Sequence, residues 1–189
     1  MTKTLDLRVR KTYQSLHKAF TELLAEQHFE DFTLNELCER AMIRRTTFYK
    51  HFSDKQDYFT FYLQEVCVEF QKQVTSEHIS ENFSAYCTKM TELLLDFLRK
   101  NQRLVQNIMD SNMFPLLLNI LQIFITEEIL KILRAHKEFQ TLPDYQLEGL
   151  SAFYSGGLLN TLFLFLQKGT LPSDETFISV VAPFLHICT

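Results

Sequence analysis

No glycine occurs before Gly149, and the 189-residue chain holds only four glycines and four prolines. Tight hairpins and short loops draw on these residues, so a chain this poor in them leaves little room for small antiparallel strands. Long helices joined by short connections remain. Apolar side chains make up 46% of the residues and 18 of them are Phe, which is ample material for a helical core.

The formal net charge is −4, which for the whole chain argues against a nucleic-acid partner. The distribution argues the other way. Between residues 40 and 55 stand Arg40, Arg44, Arg45, Lys50 and Lys55 against the single acid Asp54, and the N-terminal arm adds Lys3, Arg8, Arg10 and Lys11 against Asp6. The four cysteines form no C-x-x-C pair, so free thiols in a reducing cytoplasm are expected rather than a zinc site. No Glu is followed three residues later by His, and there is no phosphate-binding loop, nucleophile elbow or dinucleotide fingerprint. Neither an enzyme nor a cofactor or metal is expected. No basic-then-apolar leader opens the chain. The greasiest runs, 114–125 and 158–166, are interrupted by Asn119, Gln122 and Asn160 and fall short of the ~20 apolar residues of a membrane span. The expectation is a cytoplasmic protein with no membrane partner.

Val9, Tyr13, Leu16, Phe20 and Leu23 or Leu24 recur at helical spacing and predict an amphipathic first helix ending near residues 28–31. Thr33 with Glu36 three residues on has the form of a capping box, opening a short helix with Leu34, Leu37 and Ala41 inward. After a break at 42–44 a second short helix, 45–52, turns Phe48 and Phe52 inward and leaves Arg45, Thr46, Thr47, Tyr49 and Lys50 outward. Ser53 or Asp54 then caps a longer helix. Further helices are expected at 54–77, 82–99, 102–111, 114–136, 144–167 and 174–187, punctuated by Asn101, Pro115, Pro143 and the segment 169–173. The fold class is all-α: a three-helix head, residues 1–53, on a larger helical body, 54–189. A short apolar tripod, a turn, and polar residues at the start of the second helix are what a helix-turn-helix needs to enter a major groove.

The string Thr47-Phe48-Tyr49-Lys50-His51-Phe52-Ser53-Asp54-Lys55, with Phe32-Thr33-Leu34 and Ala41 upstream, resembles the helix-turn-helix of the tetracycline-repressor (TetR) family. The likeness runs from Val9 to about Phe59, and more weakly through Tyr154–Leu159 and 169–173. It implies that Thr33 bonds a phosphate at a helix start and that Arg45, Thr46, Thr47 and Lys50 face base edges or nearby backbone, with Arg44 beside them. It further implies that Tyr49 and His51 touch phosphates and that Lys55 binds a phosphate at the next helix start. Arginine pairs bidentately with guanine, threonine methyls pack on thymine, and lysine suits phosphate. Two positions depart from the family pattern. Met42 stands at the usual turn glycine and Arg44 at the usual serine-type cap, so a slightly altered turn is expected.

The resemblance also implies a body that forms a homodimer and often holds an effector. Leu158, Leu159, Leu162, Phe163 and Leu166, followed by Phe177, Val180, Val181 and Phe184, give two apolar faces for a four-helix dimer interface. Packing inside one subunit is the competing reading. Phe83, Tyr86, Met90, Met109, Met113, Phe114 and Phe153 are candidates to line a pocket for a small apolar effector, with simple core again the competing reading. The function expected is a dimeric repressor of a palindromic operator in double-stranded DNA. The alternatives are a helical interaction or lipid-binding protein without DNA binding, and an activator without an effector.

Overall fold

The computed structural model describes the backbone of residues 7–76, 83–169 and 171–185. It describes the side chains of these residues except at 74–76, 83–87, 138 and 182–185. Among the described residues every regular element is helical. The order is α1 (Leu7–Glu26), α2 (Leu34–Arg40), α3 (Arg45–Phe48), α4 (Lys55–Ser76), α5 (Phe83–Lys100), α6 (Gln102–Met109), α7 (Phe114–Ala135), a 3-10 turn (Lys137–Phe139), α8 (Asp144–Gln167) and α9 (Asp174–Leu185).

The helix ends follow local chemistry. Asp54, one of the two capping residues expected, accepts the Asp57 N–H at 2.8 Å and opens α4. Asp57 in return accepts from the Ser53 N–H and hydroxyl at 2.8 and 3.0 Å. Ser173 caps α9 by accepting the Thr176 N–H at 3.2 Å. Gly169 ends α8 at φ +68, a left-handed conformation that a residue without Cβ adopts freely.

The helices sort into two compact units, residues 1–65 with 101–117, and residues 66–100 with 118–189. In the first, an aromatic cluster forms the core. Phe20, Phe32, Phe48, Tyr58 and Phe59 are all almost fully buried, and Phe20 meets Tyr58 edge-on at 5.0 Å and Phe32 at 5.7 Å. Phe52, expected inward, is also buried. Segment 101–117 joins this core through polar ties: Asn107 Nδ2 donates to Leu24 O at 2.8 Å, and the Asn112 N–H donates to Glu30 at 2.6 Å.

In the second unit Arg99, on α5, donates to Pro172 O at 2.8 Å and pairs with Asp174 at 2.6 Å, which ties α5 to the start of α9. Buried Ser155, on α8, accepts from Gln122 Nε2 at 2.7 Å and bonds the Thr126 hydroxyl at 2.7 Å, both on α7. Leu159, Leu162, Phe163, Leu166 and Phe177 are buried within the single chain. Side chains packed inside one subunit offer little area to a partner, so these five contribute less to a dimer interface than expected. Leu158 and Val181 are half-buried, Val180 is exposed, and the Phe184 side chain lies outside the described residues.

Among the exposed residues of α8, Tyr145, Gly149, Phe153, Gly157, Asn160 and Leu164 form a stripe along the helix, with Asp144, Gln146, Glu148, Ala152 and Gln167 exposed beside it. An 18-residue stretch of this 24-residue helix has a mean hydropathy of 1.4, so by length and composition alone α8 could cross a bilayer, contrary to the expectation from its interrupted runs. Averaging along the helix absorbs Asn160 and the glycines. Eight of its 24 residues are nonetheless buried within the single chain, among them Leu159, Leu162 and Leu166.

Candidate nucleic-acid interface

The helix-turn-helix is set up by its caps. Glu36 donates its backbone N–H to the Thr33 hydroxyl oxygen at 3.2 Å. The Thr33 N–H and hydroxyl both donate to the Glu36 carboxylate, at 2.6 and 2.9 Å, completing the expected capping box. These bonds hold the Glu36 carboxyl below its usual pKa range. They also occupy both donors of Thr33, which a phosphate at that helix start would have to take from Glu36.

At the other end of α2 the Ile43 N–H reaches Cys38 O at 2.9 Å and the Met42 N–H reaches Glu39 O at 3.0 Å. This pair of bonds is a Schellman closure. It places Met42 at φ 54, the left-handed conformation that favours glycine. The altered turn expected here is therefore absent. The closing bonds hold the geometry and Met42 bears the strain, with its side chain 93% exposed. Arg44 caps α3 without a side-chain bond, as its chemistry requires.

Beyond the turn, Arg44, Arg45, Thr46, Tyr49 and Lys50 are exposed, Thr47 and His51 half-buried. Arg44, Thr46 and Lys50 make no side-chain bond or ion pair among the described residues, whereas Arg40 is paired with Glu26 at 2.7 Å. Arg44 and Lys50, flanking α3, are thus left open to a partner. The Arg45 guanidinium donates to the Tyr49 hydroxyl at 3.4 Å and lies 5.9 Å from that ring's centroid. His51 packs edge-on against Tyr13 of α1, ring centroids 5.3 Å apart, with Nδ1 at 3.4 Å from the Tyr13 hydroxyl. Packing and exposure thus coexist at His51.

Lys55 behaves differently from its expected phosphate-binding role. Its ammonium donates to Phe29 O and Phe32 O and sits 4.2 and 4.3 Å from the centroids of those two rings. Desolvation there lowers its pKa. The residue fastens the α1–α2 connection to the start of α4. No spacing rule signals this, because a lysine at a helix start reads the same in either role.

The candidate pocket residues fall in both compact units. Met109, Met113 and Phe114 belong to the first compact unit, Met90 and Phe153 to the second. Met90 and Met113 are buried and Met109 and Phe114 half-buried, but Phe153 is 64% exposed and lines no interior. The side chains of Phe83 and Tyr86 lie outside the described residues. Cys38 and Cys67 are buried free thiols, and burial pushes Cys67 up to about 11.

A capped α2, a Schellman turn and an exposed cationic α3 on an aromatic core define a helix-turn-helix DNA-binding domain. Residues 17–59 match the sequence model of the family described as bacterial regulatory proteins, tetR family. Residues 17–59 thus carry a TetR-type helix-turn-helix, the DNA-binding module of that family of transcriptional regulators. Over 83 residues it is 34% identical to YxbF, an uncharacterized HTH-type transcriptional regulator of Bacillus subtilis (strain 168). That alignment takes in 43% of this chain and spans only 22% of the relative. Among solved structures, the dihydroxyacetone kinase operon activator DhaS aligns over 92% of this chain and 93% of its own, at TM-score 0.61 and 18% identity. The TetR family repressor AlkX from Dietzia sp. strain DQ12-45-1b, implicated in biodegradation of n-alkanes, aligns over 92% and 94% at TM-score 0.56 and 16% identity. At these identities the likeness is one of fold.

Proposed function

We propose that the protein is a cytoplasmic repressor that binds an approximately palindromic operator as a homodimer. The observation that carries this reading is the group of exposed, unpaired polar residues on and beside α3: Arg44, Thr46 and Lys50, with Arg45 and Tyr49 between them. Such a group suits a major groove, with α3 toward base edges and the lysine and histidine toward phosphates. Two copies would present two such helices to half-sites about 34–36 Å apart. The outward stripe of α8 (Phe153, Leu164 and their neighbours), with Val180 of α9, supports the dimer, because a second copy covers apolar surface that one chain leaves open. A small apolar effector held in the body would release the operator if it preferred one dimer geometry over the other. A coupling of about 1–3 kcal/mol is enough.

The test is selection of duplexes from a random pool by the full-length protein, followed by titration of the winners at several salt concentrations. The expected result is a near-palindrome whose affinity falls steeply with salt. A reporter placed behind that operator should fall silent on expression of the protein. Recovery of no sequence at low salt would remove DNA binding and turn attention to the body as an interaction surface.

A further inference from the structure

We infer that Tyr49 is a specificity-determining residue acting through Arg45: it holds the Arg45 guanidinium in place for base reading before DNA arrives. The inference rests on the DNA-binding reading above and deepens it. Arg45 and Tyr49 stand four residues apart, so their side chains rise on one face, one turn from each other. The arginine Nη2 donates to the tyrosine hydroxyl at 3.4 Å while the guanidinium carbon lies 5.9 Å from the ring centroid. Polar edge and aromatic body therefore engage the same fork.

The tyrosine, 50% exposed, has one side on the core. Its backbone N–H closes onto Arg45 O at 2.9 Å, and its ring meets the fully buried Phe48 at 5.8 Å and 87°. An aromatic side chain seated against Phe48 thus stands beside the long arginine on the exposed face of the reading helix. An arginine that must be ordered on binding gives up rotamer freedom, and one already held gives up less. The advantage falls only on the base pair the fork reads, because only there does orientation, rather than charge, decide the energy.

The experiment compares the full-length wild type, Arg45→Ala and Tyr49→Phe, the last keeping the ring and removing only the hydroxyl. Arg45→Ala identifies the position in each half-site whose preference depends on Arg45. Tyr49→Phe is expected to relax discrimination at that same position by roughly three- to tenfold, an amount corresponding to one loosened side chain. It should leave other positions unchanged and add nothing in the Arg45→Ala background. In the DNA-free protein, nitrogen relaxation at Arg45 Nε should show the side chain ordered in the wild type and mobile in Tyr49→Phe. The role is overturned by a uniform loss of affinity across sequences, which is what a phosphate contact alone would give. Unchanged discrimination, or equal Arg45 mobility in both proteins, overturns it too, the latter without reference to DNA. A wild type that selects no sequence is recognised before any variant is compared, and it sinks the DNA reading and this role together.

Discussion

At Met42 a residue with a side chain holds a conformation that glycine takes without cost. Crowding between Cβ and the following carbonyl disfavours it by about 1–2 kcal/mol, and the 93% exposed side chain recovers nothing by packing. Met42→Gly should therefore stabilise the protein by about 1 kcal/mol, read as a higher urea midpoint at unchanged slope. An unchanged or lower midpoint would mean that the turn is not strained. Lys55 allows the opposite experiment. A lysine waiting for phosphate is replaceable without loss of stability, but this one donates to Phe29 O and Phe32 O. Lys55→Met keeps the stem and strands both carbonyls, so a loss of about 2 kcal/mol is expected in urea unfolding. Retained stability would return Lys55 to a purely DNA-facing role. Both features were half visible in the sequence: the identity of Met42 signalled conflict, and only the closing bonds at Cys38 and Glu39 showed which side gave way.

Among the elements, α2 depends most plainly on its cap. Glu36 is held ionised by the Thr33 N–H and hydroxyl, so its folded pKa lies below the ordinary 4.5. The unfolded chain then binds the proton more readily than the folded one. The stabilisation is present above pH 4.5 and is lost as pH falls through the folded value. Glu36→Gln should lower the urea midpoint at neutral pH, and the gap from wild type should close in acid. A gap independent of pH would show that the charge contributes nothing. The elements themselves were largely legible. Helical spacing, Pro143 and Gly169 placed a helix at 144–167, and α8 runs Asp144–Gln167. Which face of α8 turns outward was not legible, because Leu162 and Leu164 are identical residues on a helix apolar nearly all round. Only packing distinguishes them, leaving 2% of Leu162 and 51% of Leu164 exposed.

That difference gives the test for the molecule as a whole. Leu164→Arg should leave the helical content intact while shifting the sedimenting species from dimer to monomer, since a charge on an exposed stripe blocks a partner and disturbs no core. Leu162→Arg buries that charge inside the second unit and should unfold it, seen as lost ellipticity. A dimeric Leu164→Arg protein would move the interface away from α8.

The first unit is also not contiguous in the chain. Residues 1–65 close with 101–117, and the bond from Asn107 to Leu24 O spans 83 positions. Contacts that distant must await their partner. On a ribosome the helix-turn-helix emerges early, but its supporting ties are not available until Asn107 and Asn112 have followed. Nascent chains shorter than about 117 residues would carry an α1–α2 connection without those ties. The order of synthesis thus delays completion of the first unit until residue 117 has been made.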